Sequence, residues 1–393
     1  MRQVPLADGG AIGRLHALDA ARAAMMLLGL VLHAAASYIT TPLGDAWPYR
    51  DAHTSAALDL PLFVIHVFRM PAFFLLAGYF GALLYARDGP GGFIRNRLRR
   101  LLVPLVLFAP PLAILVGTGF LFAITRGTGA TVGTVVGEHR DGAVSLMHLW
   151  FLWFLILYCA AAAVILSVAR QMPAVADAVA SVLRRAGSRP LAPAVWIALT
   201  TLTLLPMPAP AIDGSTSLLP PLRTLAAYGA FFLFGWLWRQ SHMPFDSWAA
   251  RCWQRCGAGA GATIVYLWLV IARPVTGAWA HPVACACMAA AMWLLILGIL
   301  GACVRYGGRP RPWVRNLSDA AYWIYLVHLP ITIWTVGALA RTDWPAVVKF
   351  IVVVTVTSVV SAGTYFLWVR SSVIGTLLNG RRRMSPPEEV APA

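Results

Sequence analysis

The chain is 393 residues long, 59% hydrophobic and only 12% charged, with a formal net charge of +16. So little polar surface cannot coat a water-soluble globule of this size, which excludes a soluble enzyme and makes lipid the solvent. The basic residues stand in short clusters between apolar stretches, so the charge reads as membrane topology and no nucleic acid partner is expected.

A hydrocarbon core about 30 Å thick takes about 20 apolar residues as helix. Stretches near that length predict an all-α, polytopic membrane protein of about ten transmembrane helices, at 18–40, 57–86, 101–124, 147–169, 191–208, 218–239, 258–273, 281–304, 318–338 and 345–369. The domain reading is a cytoplasmic N-terminal segment at 1–17, one membrane-embedded domain at 18–370, and a partly disordered, Pro-rich cytoplasmic tail at 371–393. Arg14 to Tyr38 has the basic start of a signal peptide. Its apolar part is longer than a signal core and holds Arg22 and His33, which predicts a retained helix.

With the N-terminus inside, 22 Arg and Lys residues fall in inner segments, and five (Arg50, Arg126, Arg140, Arg273 and Arg341) fall outside. That asymmetry predicts that both termini are cytoplasmic, and the expected location is a bacterial inner membrane. The largest outer segment, 125–146, is too short for a further folded domain. The six cysteines contain no CxxC pair and read as packing residues, and no metal site is expected.

Ionisable groups inside a bilayer are costly, so each one is a functional candidate. Asp19 and Arg22 stand three apart on one face of the first helix, close enough to pair. Arg22 and His33 are eleven residues apart, which is three turns plus about 20°, so both project the same way about 16 Å apart. On the second helix, His66 and Arg69 share a face at a depth comparable to His33. These groups predict a polar chamber between the two helices. His33 reads either as a reactive imidazole or as a neutral one bonded to a neighbouring helix, and His66 reads either as a second functional group or as a mere neighbour of Arg69. Arg69 itself is always charged and requires a carboxylate, carbonyls, water or an anionic ligand. His148 opens the fourth span in HLWFLWFL, and His328 lies mid-helix in AYWIYLVHLP; each is a candidate or a structural histidine.

The first inner loop reads RDGPGGFIRNRLRR, with Arg97 and Arg100 in an RxxR spacing. The spacing suits a positive-inside anchor on lipid phosphates, or a grip on a phosphorylated cofactor.

RLHALDAARAAMMLLGLVLHAAASY, FVIHVFRMPAFFLLAGYF, RNRLRR, HLWFLWFLILY and LSDAAYWIYLVHLPI, in that order from about residue 14 to 370, resemble the acyltransferase family 3 membrane proteins. The LDAAR, HVFRMPAFF and HLWFLWFL strings are most similar to its glucan biosynthesis protein C branch, which succinylates periplasmic glucans. The sequence departs at Ala77, where serine is common before the glycine. The resemblance implies a cytoplasmic acyl-CoA donor, succinyl-CoA or acetyl-CoA, and a periplasmic carbohydrate acceptor. It implies catalytic roles for His33, Arg69 and His66, with His33 as general base. It also implies donor binding by Arg22, Arg95, Arg97 and Arg100, and substrate binding by His148 and His328. Two rival readings are a transporter or flippase for an anionic solute and a non-catalytic interaction or sensor protein. The chain shows no repeat symmetry of the transporter kind.

Overall fold

The structure is a computed structural model that describes residues 9–133, 145–174, 178, 181, 192–212, 214–241, 246–272, 277–307 and 312–379. Much of the 125–146 segment, most of the basic stretches around 184–189 and 308–311, and the tail after 379 lie outside the described residues.

The principal helices are α1 (Gly9–Ala35), α2 (Ala56–Arg97), α3 (Val103–Thr128), α4 (Trp150–Gln171), α5 (Ala192–Leu204), α6 (Leu222–Gln240), α7 (Cys252–Leu267), α8 (Ala280–Tyr306), α9 (Pro312–Leu339), α10 (Ala346–Thr364) and α11 (Val373–Asn379). No strand occurs among the described residues, only an isolated antiparallel bridge between Ser145 and Ser217. Each of the ten expected spans is occupied by helix. By length and apolar composition, six helical stretches can cross a membrane among the described residues. The expected spans at 191–208, 218–239 and 258–273, whose helices are α5, α6 and α7, are not among those six. The chain is a multi-pass membrane protein.

One of the six, 73 residues from Ala56 to Thr128, folds back on itself. Gly89 interrupts the helix with φ 68° and ψ −177°, a backbone that only glycine adopts readily, and Pro90 follows it. Tyr49, just ahead of α2, packs on Gly127 near the end of α3, so α2 and α3 run antiparallel. Between them Leu98–Leu102 winds as a π-helix. That looser winding, frequent at functional sites, lies in the arginine-rich loop.

Helix α1 packs against α2, α8, α9 and α10, and α9 also packs against α3 and α10. The first helix is therefore surrounded by other helices along much of its length. Large apolar residues such as Val106, Leu107, Ile114, Ile351 and Val359 remain exposed on the outward faces of α3 and α10. In water such a surface would aggregate; facing acyl chains, it is the expected surface.

The expected first span, 18–40, ends early. Helix α1 stops at Ala35 because the following residues bond elsewhere. The Ser37 hydroxyl accepts from the Trp47 indole N–H at 2.7 Å, and its carbonyl accepts the Asp51 amide at 2.9 Å. Residues 36–55 thus form a loop that folds back over the end of α1.

Candidate active site

The arginine-rich end of the bundle opens into a cavity of about 660 Å³. Its mouth carries Arg22 from α1, Arg87 and Arg97 from α2, and Arg99 and Arg100 from the π-helix; Asp19 and Asp319 also line it. Arg22 donates to Asp19 at 3.0 Å and lies over the Phe80 ring at 5.0 Å. Arg97 lies over Phe93 at 5.6 Å, with its Nε buried and unpartnered. Tyr322 on α9 donates to the Arg100 carbonyl at 2.7 Å and ties the π-helix to the cavity wall. Cations therefore outnumber carboxylates at this mouth, a setting made for an anion.

Two details differ from the sequence expectation. Arg95 does not line the cavity, whereas Arg99 does. An RxxR spacing assumes 100° per residue, and the π-helix winds with less, which spreads Arg97, Arg99 and Arg100 over one side. The C-terminal helix α11 also reaches the mouth, through Leu377, Leu378 and Asn379. Asn379 is held there by donating to the Tyr365 hydroxyl at 2.8 Å.

At its deep end the cavity is bounded by Phe73, Phe151, Leu152 and Tyr325. Tyr325 donates to the His148 carbonyl at 2.8 Å, and its ring lies 5.6 Å from that of His148 and 6.3 Å from that of His328. Beyond it three histidines from three elements converge. The His328 ring is 5.3 Å from His148 and 5.3 Å from His33. The sequence offers each of these separately; α9, packed against α1 and α3 and bonded to His148 just ahead of α4, brings them into one cluster.

The hydrogen bonds fix two of the tautomers. Carbonyls only accept, so His328 Nδ1 must carry its proton to donate to the Tyr325 and Ile324 carbonyls at 2.7 and 3.1 Å. By the same reasoning His148 donates from Nε2 to the Leu326 carbonyl at 3.0 Å. That leaves His328 Nε2 and His148 Nδ1 as buried, unpartnered acceptor nitrogens when the rings are neutral, and His33 Nδ1 is buried and unpartnered as well. Three such atoms in one place is an unusual arrangement, since buried polar groups are normally satisfied. Met147, immediately before His148, has φ 45°, the one positive value for a non-glycine among the described residues. Strain of that kind clusters at sites that must hold a side chain in place.

Arg69 lies beside this cluster. A side chain at Gly29 would collide with its guanidinium, so the bare backbone of α1, one turn before His33, makes the room it occupies. It donates from Nη2 to the Met70 sulfur at 3.4 Å, its Nε is buried without a partner, and among the described residues no carboxylate pairs with it. Tyr228 and Tyr325 lie close enough to interact with it electrostatically. His66, on the same helix, is exposed and makes no ring contact with the three clustered histidines. The chamber expected between α1 and α2 is therefore walled also by α4 and α9.

Trp47 also stacks on the His33 imidazole, with ring centres 5.6 Å apart and planes at 17°. Sequence reading missed Trp47, Tyr325 and the buried ion pair of Asp51 with Lys349, in which Lys349 donates to the two carboxylate oxygens at 2.8 and 3.1 Å. Nearly 300 residues separate that lysine from its partner, and no local spacing could reveal it.

The chain is thus a multi-pass helical bundle with an arginine-lined cavity and, behind the Tyr325 wall of that cavity, a histidine cluster. Residues 15–366 match the family model of the acyltransferase domain, acyltransferase family 3. The chain belongs to that family. It is similar to proteins named glucans biosynthesis protein C from Salmonella paratyphi B, Salmonella heidelberg and Salmonella schwarzengrund, with 29% identity over 147 residues. That match covers 37% of this chain and 37% of each relative. No solved structure matches the chain.

Proposed function

We propose that the protein is an inner-membrane O-acyltransferase that moves an acyl group from cytoplasmic acyl-CoA to a hydroxyl of a periplasmic glucan or another envelope carbohydrate. The observation that carries this reading is a juxtaposition across Tyr325: the ring lines the arginine-rich cavity and also touches His148 and His328, beside which stand His33 and the buried guanidinium of Arg69. Family membership supports acyl transfer, and the similarity to glucans biosynthesis protein C supports a glucan acceptor; succinyl is favoured over acetyl by the resemblance of the LDAAR, HVFRMPAFF and HLWFLWFL strings to the branch that succinylates periplasmic glucans.

In this account Arg97, Arg99 and Arg100, with Arg22, hold the donor's phosphates, because guanidinium forks bind phosphate bidentately. The pantetheine arm runs down the cavity past Tyr325 and brings the thioester to His33. The acceptor oxygen attacks the thioester carbonyl as His33 takes the hydroxyl proton. The tetrahedral intermediate then collapses, the C–S bond breaks, and the departing thiolate receives that proton, leaving an ester and free CoA. Arg69 stabilises the oxyanion, or holds the free carboxylate of a succinyl group. His148 and His328, their protons fixed on backbone carbonyls, present lone pairs that orient the acceptor hydroxyl.

Purified protein in detergent, given succinyl-CoA or acetyl-CoA and a glucan oligosaccharide, should release CoA thiol and form an acylated sugar, read by mass spectrometry. A transporter or a sensor would do neither, and that result would overturn the reading.

A further inference from the structure

A second cavity, of about 260 Å³, lies at the end of the bundle opposite the arginines, walled by the 36–55 loop and including Trp47, Tyr49 and Arg50. We infer that this cavity is a subsite for one ring of a carbohydrate, and that Trp47 is the residue through which the bound ring is presented to His33. The inference rests on the acyl-transfer reading for its chemistry, but the binding site stands on its own geometry.

Trp47 belongs to both places. Its indole stacks on His33 at 5.6 Å, and the same side chain lines the outer cavity. The ring is held in orientation by its N–H on Ser37 and by an edge contact with Phe120 at 5.2 Å. The cavity is smaller than the roughly 300–1,000 Å³ of pockets for drug-sized ligands, which suits a single ring better than an extended chain. Its walls combine the small exposed parts of the otherwise buried Trp47 and Tyr49 rings, an exposed guanidinium at Arg50, and the hydroxyl-bearing Thr41. A sugar ring offers apolar C–H faces to the first and hydroxyls to the others.

The loop is built as a fixed wall. Lys349 and Asp51, both fully buried, pair at 2.8 Å and clamp it to α10. The Tyr49 hydroxyl reaches the same carboxylate at 3.4 Å. The Thr40 hydroxyl donates to Asp59 at the start of α2, and the Ser55 amide donates to the Tyr38 carbonyl. A loop fastened to α1, α2 and α10 can hold an aromatic platform in register with an imidazole on α1.

Two measurements test this. In the first, Arg50→Cys protein in detergent is treated with a maleimide, with and without a short glucan oligosaccharide, and modification at position 50 is followed by mass spectrometry. The oligosaccharide should slow the labelling, and adding Trp47→Ala should abolish that protection. In the second, Trp47→Ala should raise the KM for the oligosaccharide roughly five- to tenfold, the scale of one lost aromatic contact, while the KM for acyl-CoA stays put; Trp47→Phe should recover most of the loss. Labelling indifferent to the oligosaccharide, or an acceptor KM unchanged in Trp47→Ala, overturns the inference. Protection by the oligosaccharide in a protein that cleaves no acyl-CoA would support the subsite and overturn the transferase reading instead.

Discussion

The two ends of the bundle handle charge in opposite ways. At the arginine-rich end, Arg22, Arg97, Arg99 and Arg100 surround a cavity with few carboxylates to answer them, and Arg22 and Asp19 are about half exposed. At the far end, Lys349 and Asp51 are both fully buried and satisfy one another. Charge left in surplus around a cavity is available to a ligand; charge buried and paired is spent on architecture. Between the ends, Arg69 and three imidazoles combine buried nitrogen atoms with the missing partners of the first kind. That mixture marks the place where chemistry is expected.

Removing charge at the two ends should therefore have different consequences. The largest effect is expected from Lys349→Met, which strands Asp51 as an uncompensated buried carboxylate and should cost about 3–5 kcal/mol of stability. Thermal unfolding in detergent would read it, and Lys349→Met with Asp51→Leu should recover most of the loss. Recovery failing, with activity normal in the single variant, would break the contrast.

Arg69→Lys keeps the charge but loses the planar fork. If Arg69 grips the carboxylate of a succinyl donor, transfer from succinyl-CoA should fall by roughly tenfold or more relative to acetyl-CoA, the value of a charge-assisted hydrogen bond. Equal losses on the two donors would assign it to the oxyanion instead. Arg97→Ala with Arg100→Ala should raise the acyl-CoA KM by roughly tenfold with the fold intact, and added salt should reproduce part of that in the wild type. An unchanged donor KM would leave these arginines as lipid anchors. Tyr325→Phe removes one hydrogen bond to the His148 carbonyl and should cost only about 1 kcal/mol, read as a few-fold lower kcat.

Helices were legible in the sequence because apolar runs near the length of a bilayer have few other fates, and the Asp19–Arg22 pair followed from i, i+3 spacing alone. What lay beyond reach was everything set by helix-to-helix placement. His148 and His328 were visible as candidates, but their meeting with His33 depends on how α9 packs against α1 and α3. Trp47 sat in a loop whose course is decided by Lys349, far along the chain. Arg99 at the mouth was equally out of reach, because spacing rules presuppose the ordinary helical turn and Leu98–Leu102 winds as a π-helix.

The claim that binding and chemistry are divided along the path is tested most directly with His33→Ala. Purified wild-type and variant proteins would be compared in CoA binding by titration calorimetry and in acyl transfer from succinyl-CoA and acetyl-CoA to a glucan oligosaccharide. The account predicts CoA affinity within about twofold of wild type, because His33 lies beyond Tyr325 from the arginines, and transfer reduced by about 10² to 10⁴, the cost of a lost general base. Transfer at the wild-type rate in a folded His33→Ala protein would contradict it.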